Sequence, residues 1–252
     1  MRIDINCDMG ESFGAYRMGD DEQVIRHITS ANIACGFHAG DPGVMARTVK
    51  LARDHGVSVG AHPGYPDLVG FGRRNIETEP GQIKHDLLYQ MGALSAFTRA
   101  AGVPLGHIKP HGALYNLAAR DERAAEEVID AVLLFDPGLI LFALAGSLLA
   151  KMAAARGLRV VQEIFPDRAY LKSGQLAPRG MAGAVIHDLH AVQSRLLKLL
   201  STGRMECIDG ADIPLDADTL CIHGDTPGAS QMAASIRRIL EENGYQVMAA
   251  HE

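Results

Sequence analysis

Acidic, imidazole and amine side chains recur in this chain in six short runs, and almost every run follows a stretch that reads as a buried strand. The runs start at Asp4, Cys35, Gly60, Lys109, Glu163 and His223. Groups of these types can take up protons, return them or stabilise an anion. Because the carboxyl ends of parallel strands meet at one rim of an α/β barrel, the pattern predicts an enzyme with one shared pocket.

Side-chain alternation along a strand predicts which polar residues face that pocket. In the first strand Asp4, Asn6 and Asp8 share one side, while the apolar residues between them suit a layer of helices. The same reasoning adds further members from the other strand ends: Asn32, His38, His62, Lys109, His111, Glu163, Asp167, His223 and Asp225. Burying so many polar groups is unfavourable unless they bond one another, water or a ligand, and this cost is the physical argument for function.

Three of the pocket residues have the chemistry of a metal site. Asp8, His62 and His111 offer one carboxylate and two imidazoles at widely spaced strand ends. No compact HxH or HExxH signature accompanies them, so hydrogen bonding within the pocket is the alternative interpretation.

Basic residues in and around the pocket also have two interpretations. Lys109 is predicted either to bind an anion or to form a structural ion pair with Asp4 or Glu163. Four arginines lie in two long predicted loops, where they could clamp a carboxylate or phosphate or simply face solvent: Arg73, Arg74, Arg168 and Arg179. His107 lies deeper in its strand and is expected only to pack.

The elements that position these residues alternate between strand and helix. Strands are predicted at residues 2–7, 30–35, 57–61, 105–109, 139–144, 159–164 and 218–223, with a short one at 246–249. Helices are predicted at residues 43–55, 80–101, 121–134, 146–156, 182–200 and 229–242. Three pairs of a capping residue and a proline predict helix starts: Asp41-Pro42, Asp136-Pro137 and Thr226-Pro227.

Uninterrupted alternation of strand and helix implies a parallel sheet. An open sheet would concentrate its site at one switch point, whereas this chain uses nearly every strand end. We therefore predict a distorted (β/α) barrel of about seven parallel strands. No linker or change of composition divides the chain, so residues 1–252 are predicted to form a single domain. Residues 63–79 and 166–181 form long loops, which are often functional.

Composition narrows the class of protein. The net charge of -6 is mild and no basic patch occurs, so nucleic acid is not an expected partner. No stretch is long and apolar enough for a membrane span, and the first strand leaves no room for a signal peptide. The four cysteines form no CxxC pair, which is typical of a reduced, cytoplasmic protein. Neither a GxxxxGK[ST] loop nor a GxGxxG motif occurs, so spacing alone indicates no nucleotide site.

Seven motifs resemble one known family, the LamB/YcsF family. They run from the first strand to the last helix, and they are long and unusual. The motifs occupy residues 6–14, 31–42, 60–63, 70–74, 109–115, 167–170 and 223–228. The only departure is Gly64, where a small residue such as Ser is expected.

The resemblance implies a barrel similar to the polysaccharide-deacetylase-like folds. It also implies the A subunit of the bacterial ATP-dependent 5-oxoprolinase, which opens the lactam of 5-oxo-L-proline to L-glutamate while ATP and water give ADP and phosphate. Subunits B and C are then required partners. ATP would be a co-substrate, and a divalent metal ion would be a candidate cofactor.

That reaction suits the predicted pocket, because a lactam resists hydrolysis until its amide oxygen is phosphorylated and water can open the ring. We expect Asp8 or Glu163 to be the base, His62 and His111 to position groups or donate protons, and Lys109 to stabilise negative charge. Substrate binding is assigned to the remaining members: Asn6, Glu11, Asn32, His38, Arg73, Asp167, Arg168, Arg179, His223 and Asp225.

Two other functions fit the same barrel. A free-standing, metal-dependent deacetylase or amidohydrolase would work without ATP and lose activity to chelators. A non-catalytic subunit would bind 5-oxoproline and present it to its partners.

Overall fold

Parallel strands close into a barrel in the computed structural model, which describes residues 1–224 and 228–250. The strands are β1 (Arg2–Met9), β2 (Ser30–Ala34), β3 (Ser58–His62), β4 (Leu105–Ile108), β5 (Ile140–Leu144), β6 (Val160–Ile164), β7 (Arg204–Glu206), β8 (Asp212–Pro214), β9 (Thr219–His223) and β10 (Gln246–Val247). The barrel runs in the order β1 to β6 and then β9, and β9 pairs with β1 to close it. The parallel register of β1 and β9 places Asp8 next to His223 at one end of the barrel.

Helices fill the connections between the strands. They are α1 (Asp21–Val24), α2 (Pro42–Asp54), α3 (Gln82–Ala101), α4 (Gly112–Ala118), α5 (Glu122–Phe135), α6 (Leu148–Ala155), α7 (Leu189–Thr202) and α8 (Ala229–Glu242), with a 3₁₀ turn at Ile25–His27. Asp41 caps α2 by accepting a hydrogen bond of 2.8 Å from the backbone N–H of Val44. Among the described residues, no helix combines the length and apolar character needed to cross a bilayer.

The hydrophobic core lies between the strands and the helix layer. Ile3, Ile5 and Cys7 point outward from β1 into this layer and are at most 3% exposed. They belong to a continuous apolar cluster that reaches Leu240 of α8. Because the outward positions bury the apolar residues, the alternate positions of each strand must point into the barrel, as the sequence predicts.

The predicted closed barrel of about seven parallel strands is confirmed, and its strands lie within about two residues of their predicted ends. That residues 1–252 form a single domain stays a prediction. The elements that were not predicted are the short helix α1, the 3₁₀ turn after it, the helix α4 and the antiparallel hairpin of β7 and β8.

Two predicted helix starts differ from the structure. The helix predicted from residue 182 begins at Leu189, because Asp188 caps it and the preceding residues lengthen the loop after β6. Asp136 ends α5 instead of starting a helix, and its carboxylate accepts a hydrogen bond of 2.8 Å from the N–H of Gly138 in a turn. Thr226-Pro227 lies outside the described residues.

Asp4 forms the floor of the barrel interior. Its Oδ1 accepts hydrogen bonds of 2.7 Å from the hydroxyls of Thr29 and Ser30, and its Oδ2 accepts one from the hydroxyl of Thr219. Burial opposes ionisation more strongly than these three donors favour it, so the pKa of Asp4 rises from 3.8 to about 6. Asp4 is a structural anchor remote from the mouth of the barrel.

We expect this raised pKa to give a measurable pH dependence of stability. Since the folded-state pKa lies above the ordinary value of 3.8, the stabilisation is fully present below about pH 4 and is lost as the pH rises through about 6. The loss is on the order of 3 kcal/mol. Asp4→Asn, which mimics the protonated acid, should change less in unfolding free energy between pH 4 and 7 than the natural chain. Urea titrations that gave the same pH dependence for both would contradict the assignment.

Candidate active site

A layer of amides and one imidazole lies above Asp4 in the barrel. Asn32 Nδ2 donates to Asn6 Oδ1 at 2.7 Å and to Asp8 Oδ1 at 2.9 Å. His107 Nε2 lies 2.8 Å from Asn32 Oδ1 and so donates to it. Both asparagines were predicted to bind substrate; neither lines the cavity described below, and Asn32 contacts Asp8 from beneath it.

The imidazole of His107 needs a space that only glycine provides. Its ring stacks on Phe142 with centroids 4.3 Å apart and covers Gly60 of β3. A Cβ at residue 60 would lie 2.1 Å from the ring, far inside van der Waals contact. The prediction that His107 only packs was too narrow, because the ring also holds the Asn32 amide in place.

Lys109 is the centre of a buried ion cluster. Its Nζ lies 2.9 Å from Asp8 Oδ1, 2.9 Å from Glu163 Oε1 and 2.9 Å from Cys221 Sγ. Burial alone would lower the pKa of Lys109, but Asp8, Cys221 and Glu163 outweigh it and raise the pKa well above its usual value. Of the two predicted roles, the structure shows the ion pair, and it includes Asp8 in place of Asp4. The contact with Cys221 was not predicted.

Glu163 lies on the far side of this cluster and is fully buried. The hydroxyl of Tyr115 is beside it, and burial together with the Glu163 carboxylate raises the pKa of Tyr115 well above its usual value. Glu163 does not line the cavity, whereas Tyr115 does. Tyr115 belongs to α4, so its place at the site could not be predicted before that helix was recognised.

The imidazoles of His62 and His111 lie next to each other at the rim of the barrel. His62 Nδ1 lies 2.8 Å from the carbonyl oxygen of Lys109, and His111 Nε2 lies 2.8 Å from the carbonyl oxygen of Phe71. A carbonyl can only accept, so each of these nitrogens carries a proton. The other two nitrogens, His62 Nε2 and His111 Nδ1, are 2.9 Å apart.

Asp8 is held as an anion beside this pair. Its Oδ2 lies 3.3 Å from His62 Nε2, while its Oδ1 is bound by Lys109 and Asn32. Burial would raise the pKa of Asp8, but the charges of His62 and Lys109 reverse the effect and hold the pKa well below its usual value. Oδ2 is therefore the oxygen available to accept a proton.

His38 and Glu11 complete the group of histidines. The His38 ring stacks on His111 with centroids 3.7 Å apart and an angle of 2° between the planes. Its Nε2 lies 3.5 Å from Glu11 Oε1, which is also 3.7 Å from His111 Nδ1. Burial, with the neighbouring imidazoles, lowers the pKa of both His38 and His111 well below the usual value.

Phe71 has the only positive φ, +54°, among the non-glycine residues that the structure describes. This backbone conformation costs about 1–2 kcal/mol for a residue with a side chain. It directs the Phe71 carbonyl at His111 Nε2 and places the ring edge-on to both His38 and His111, with centroids 5.7 and 5.2 Å away. The guanidinium of Arg73 lies 4.7 Å from the centroid of the Phe71 ring.

A second pair of a histidine and a carboxylate lies beside Asp8, at the end of the neighbouring strand β9. His223 Nδ1 is 2.8 Å from Asp167 Oδ2, and the His223 ring stacks on Phe165. Burial would raise the pKa of Asp167, but His223 and its hydrogen bond lower it. Asp167 does not line the cavity, and its carboxylate keeps His223 Nδ1 protonated. The predicted site residue Asp225 lies outside the described residues.

These groups surround a cavity of about 390 Å³ at the carboxyl ends of the strands. Its wall contains five charged or titratable side chains from strand ends: Asp8, His62, Lys109, His111 and His223. Arginines lie around its wall: Arg73, Arg120, Arg168 and Arg179. Of these, Arg120 was not predicted. Cavities of a few hundred Å³ suit a small molecule.

Arg168 is mainly a structural residue. Its Nε donates to the carbonyl of Ala184 at 3.1 Å, and its Nη2 donates to the carbonyl of Ala177 at 2.6 Å. Burial and the nearby charge of Arg179 lower the pKa of Arg168 to about 10. These bonds fold residues 166–181 over the cavity; Arg168 also lines the cavity, and its predicted role in substrate binding stays a prediction.

The motifs that carry these side chains are shared with known proteins. The sequence model of the LamB/YcsF family matches residues 3–252. The chain belongs to the LamB/YcsF family. A curated relative from Syntrophobacter fumaroxidans, named as the A subunit of 5-oxoprolinase, is 68% identical over 99% of this chain and 98% of its own length. The resemblance seen in the motifs is thus confirmed.

The fold of this LamB/YcsF chain is also known from a crystal structure. The lactam utilization protein of Thermus thermophilus is 51% identical and covers 99% of this chain and 100% of its own, with a TM-score of 0.92. A peptidoglycan deacetylase from Bacillus subtilis aligns with 99% of this chain and 89% of its own, at 10% identity and a TM-score of 0.47.

Proposed function

We propose that this chain is the A subunit of an ATP-dependent 5-oxoprolinase. One observation carries the proposal: a carboxylate held as an anion, Asp8, and a carboxylate-supported imidazole, His223, line one small cavity with arginines around its wall. The full-length relative named as a 5-oxoprolinase component and the relative called a lactam utilization protein support it. The four cysteines, all unpaired and buried, suit a reducing cytoplasm.

The substrate of the hydrolytic step would be a lactam whose amide oxygen carries a phosphoryl group derived from ATP. Guanidinium groups match phosphate and carboxylate in charge and geometry. Arg73, Arg120 and Arg179 lie on the cavity wall and are the candidates to hold the phosphoryl group and the ring carboxylate. Partner subunits B and C would supply the remaining machinery, including the phosphorylating step.

Asp8 is the favoured base. It lines the cavity with Oδ2 turned away from Lys109, whereas Glu163 is fully buried and reaches only the cluster behind Lys109. Asp8 Oδ2 would remove a proton from water as the water adds to the ring carbon. The His62 imidazole, whose Nε2 lies 3.3 Å from the same oxygen, would keep this part of the cavity wall in place.

His223 is the favoured acid. The adduct of water can expel phosphate, which restores the lactam, or nitrogen, which opens the ring. A proton donated to the ring nitrogen selects the second outcome. Asp167 keeps His223 Nδ1 protonated, so that the opposite ring nitrogen is the one that exchanges a proton with substrate. A second water would then hydrolyse the acyl phosphate to L-glutamate and phosphate.

The test is glutamate formation from 5-oxo-L-proline by this chain alone and with subunits B and C, each with and without ATP and with and without EDTA. We expect product only when all three subunits and ATP are present. Turnover by the chain alone without ATP, abolished by EDTA, would make it a free-standing metal-dependent amidohydrolase. Binding of 5-oxoproline with unchanged turnover after loss of Asp8 and His223 would make it a non-catalytic subunit.

A further inference from the structure

Four buried side chains from four different segments converge beside the cavity: Glu11, His38, His62 and His111. One ligand atom from each lies within 4.8 Å of all the others. We propose that these four residues bind a divalent metal ion, with zinc as the preferred ion. Metal binding is a property of the chain itself and does not depend on the proposed 5-oxoprolinase reaction.

The two facing imidazoles give the first argument. His62 and His111 each donate one ring N–H to a backbone carbonyl, at 2.8 Å in both cases. In the neutral rings the remaining nitrogens carry lone pairs, and these nitrogens are only 2.9 Å apart. Two lone pairs at this distance repel, so the pair needs either a shared proton or a metal ion that both nitrogens can bind. A ligating histidine whose second nitrogen donates to a carbonyl is the usual arrangement in metal sites.

The second argument is independent and comes from His38. Neither of its ring nitrogens makes a hydrogen bond to a described residue, although the side chain is only 1% exposed. Buried polar atoms are nearly always paired, so an imidazole in this state indicates a ligand that it contacts. Its Nε2 points toward Glu11 Oε1 at 3.5 Å, which is the direction of the other three ligand atoms.

The distances fit a tetrahedral ion. Zinc bonds of about 2.0–2.1 Å to nitrogen and oxygen place neighbouring ligand atoms about 3.3–3.4 Å apart. The observed separations of 2.9, 3.5 and 3.7 Å bracket that value, so movements of a few tenths of an ångström would complete the site. Three imidazoles and one carboxylate are ligands that zinc accepts, and the neighbouring Asp8 would offset the remaining positive charge.

This ligand set replaces the predicted triad of Asp8, His62 and His111. Oδ1 of Asp8 is already bound by Lys109 and Asn32, and Asp8 groups instead with Cys221 and His223. Glu11 and His38 take its place. The ion would tie the segments after β1 and β2 to the ends of β3 and β4, and so fix the imidazoles that face the cavity.

The experiment uses the full chain, stripped with chelator and dialysed. Isothermal titration with Zn²⁺ should show one site, and Co²⁺ should give the intense d–d absorption of four-coordinate cobalt. His38→Ala should weaken Zn²⁺ binding at least about 100-fold, since even outer contacts of a metal site are worth 10–100-fold. His85→Ala removes an exposed histidine of α3 and should bind as the natural chain does.

Thermal melting with and without Zn²⁺ guards against variants that fail to fold. Zn²⁺ should raise the Tm of the natural chain and of His85→Ala but leave that of His38→Ala unchanged. The proposal is overturned if the natural chain binds neither ion, or if His38→Ala binds Zn²⁺ like the natural chain. It is also overturned if His223→Asn abolishes binding, because the ion would then lie with Asp8 and Cys221.

Discussion

Asp8→Asn is expected to lower glutamate formation by the reconstituted complex about 1,000-fold or more while leaving the fold intact. Removal of a general base commonly costs 10²–10⁴-fold in rate. The amide keeps an oxygen for the 2.9 Å hydrogen bonds from Lys109 and Asn32, and Lys109 still pairs with Glu163, so the Tm should change by only a few degrees. Steady-state turnover and thermal melting of the same preparations provide the two readouts.

Glu163→Gln is the matched comparison, since it neutralises the other carboxylate on Lys109 without touching the cavity wall. Glu163→Gln should reduce stability more than Asp8→Asn does, and it should reduce turnover far less than Asp8→Asn does. The reverse order, with Glu163→Gln inactive and Asp8→Asn close to the natural rate, would transfer the role of base to Glu163.

Lys109→Met is expected to destabilise the chain by about 3–5 kcal/mol. The substitution leaves the carboxylates of Asp8 and Glu163 buried without their shared cation, and uncompensated buried charge costs this much. For a chain of this size the Tm should fall by about 10 °C. The double variant Lys109→Met/Glu163→Gln should recover part of the loss, because one of the two orphaned charges is gone.

The control is Lys50→Met, which breaks an exposed pair with Asp54 on α2. Exposed pairs of this kind contribute at most about 0.5 kcal/mol. Urea unfolding that showed similar losses for the Lys109 and Lys50 variants would mean that the buried cluster adds nothing to stability. If Lys109→Met is destabilised as expected, a loss of activity in this variant cannot be assigned to catalysis alone, because part of it comes from unfolding.

Strand alternation was sufficient to predict the composition of the barrel interior. Asp4, Asn6 and Asp8 point to the same side because side chains alternate along a strand. This can be predicted from one strand without knowledge of the others. The closed topology follows from the recurrence of polar residues at successive strand ends, and the structure confirms it.

The pair of Lys109 with Glu163 was predicted as one alternative, but the contacts of Lys109 with Asp8 and Cys221 were not predictable in the same way. Lys109 reaches Asp8, Glu163 and Cys221 because the register of three different strands brings them to one height, and no local pattern encodes that register. The group of Glu11 and His38 with the rim histidines depends on how two loops turn after their strands. Phe71 lies in one of the family motifs, but nothing in the sequence indicated its positive φ, which only the backbone of the folded chain shows.

The close contact between the His107 ring and Gly60 restricts how the sequence of this barrel can evolve. Alanine at residue 60 is excluded while the imidazole is present, because its methyl group would fall 2.1 Å from the ring. A smaller residue at 107 would remove the clash but leave the Asn32 carbonyl without its donor. Substitutions at the two positions therefore have an obligatory order, in which the histidine is lost first and the lineage passes through a weakened intermediate.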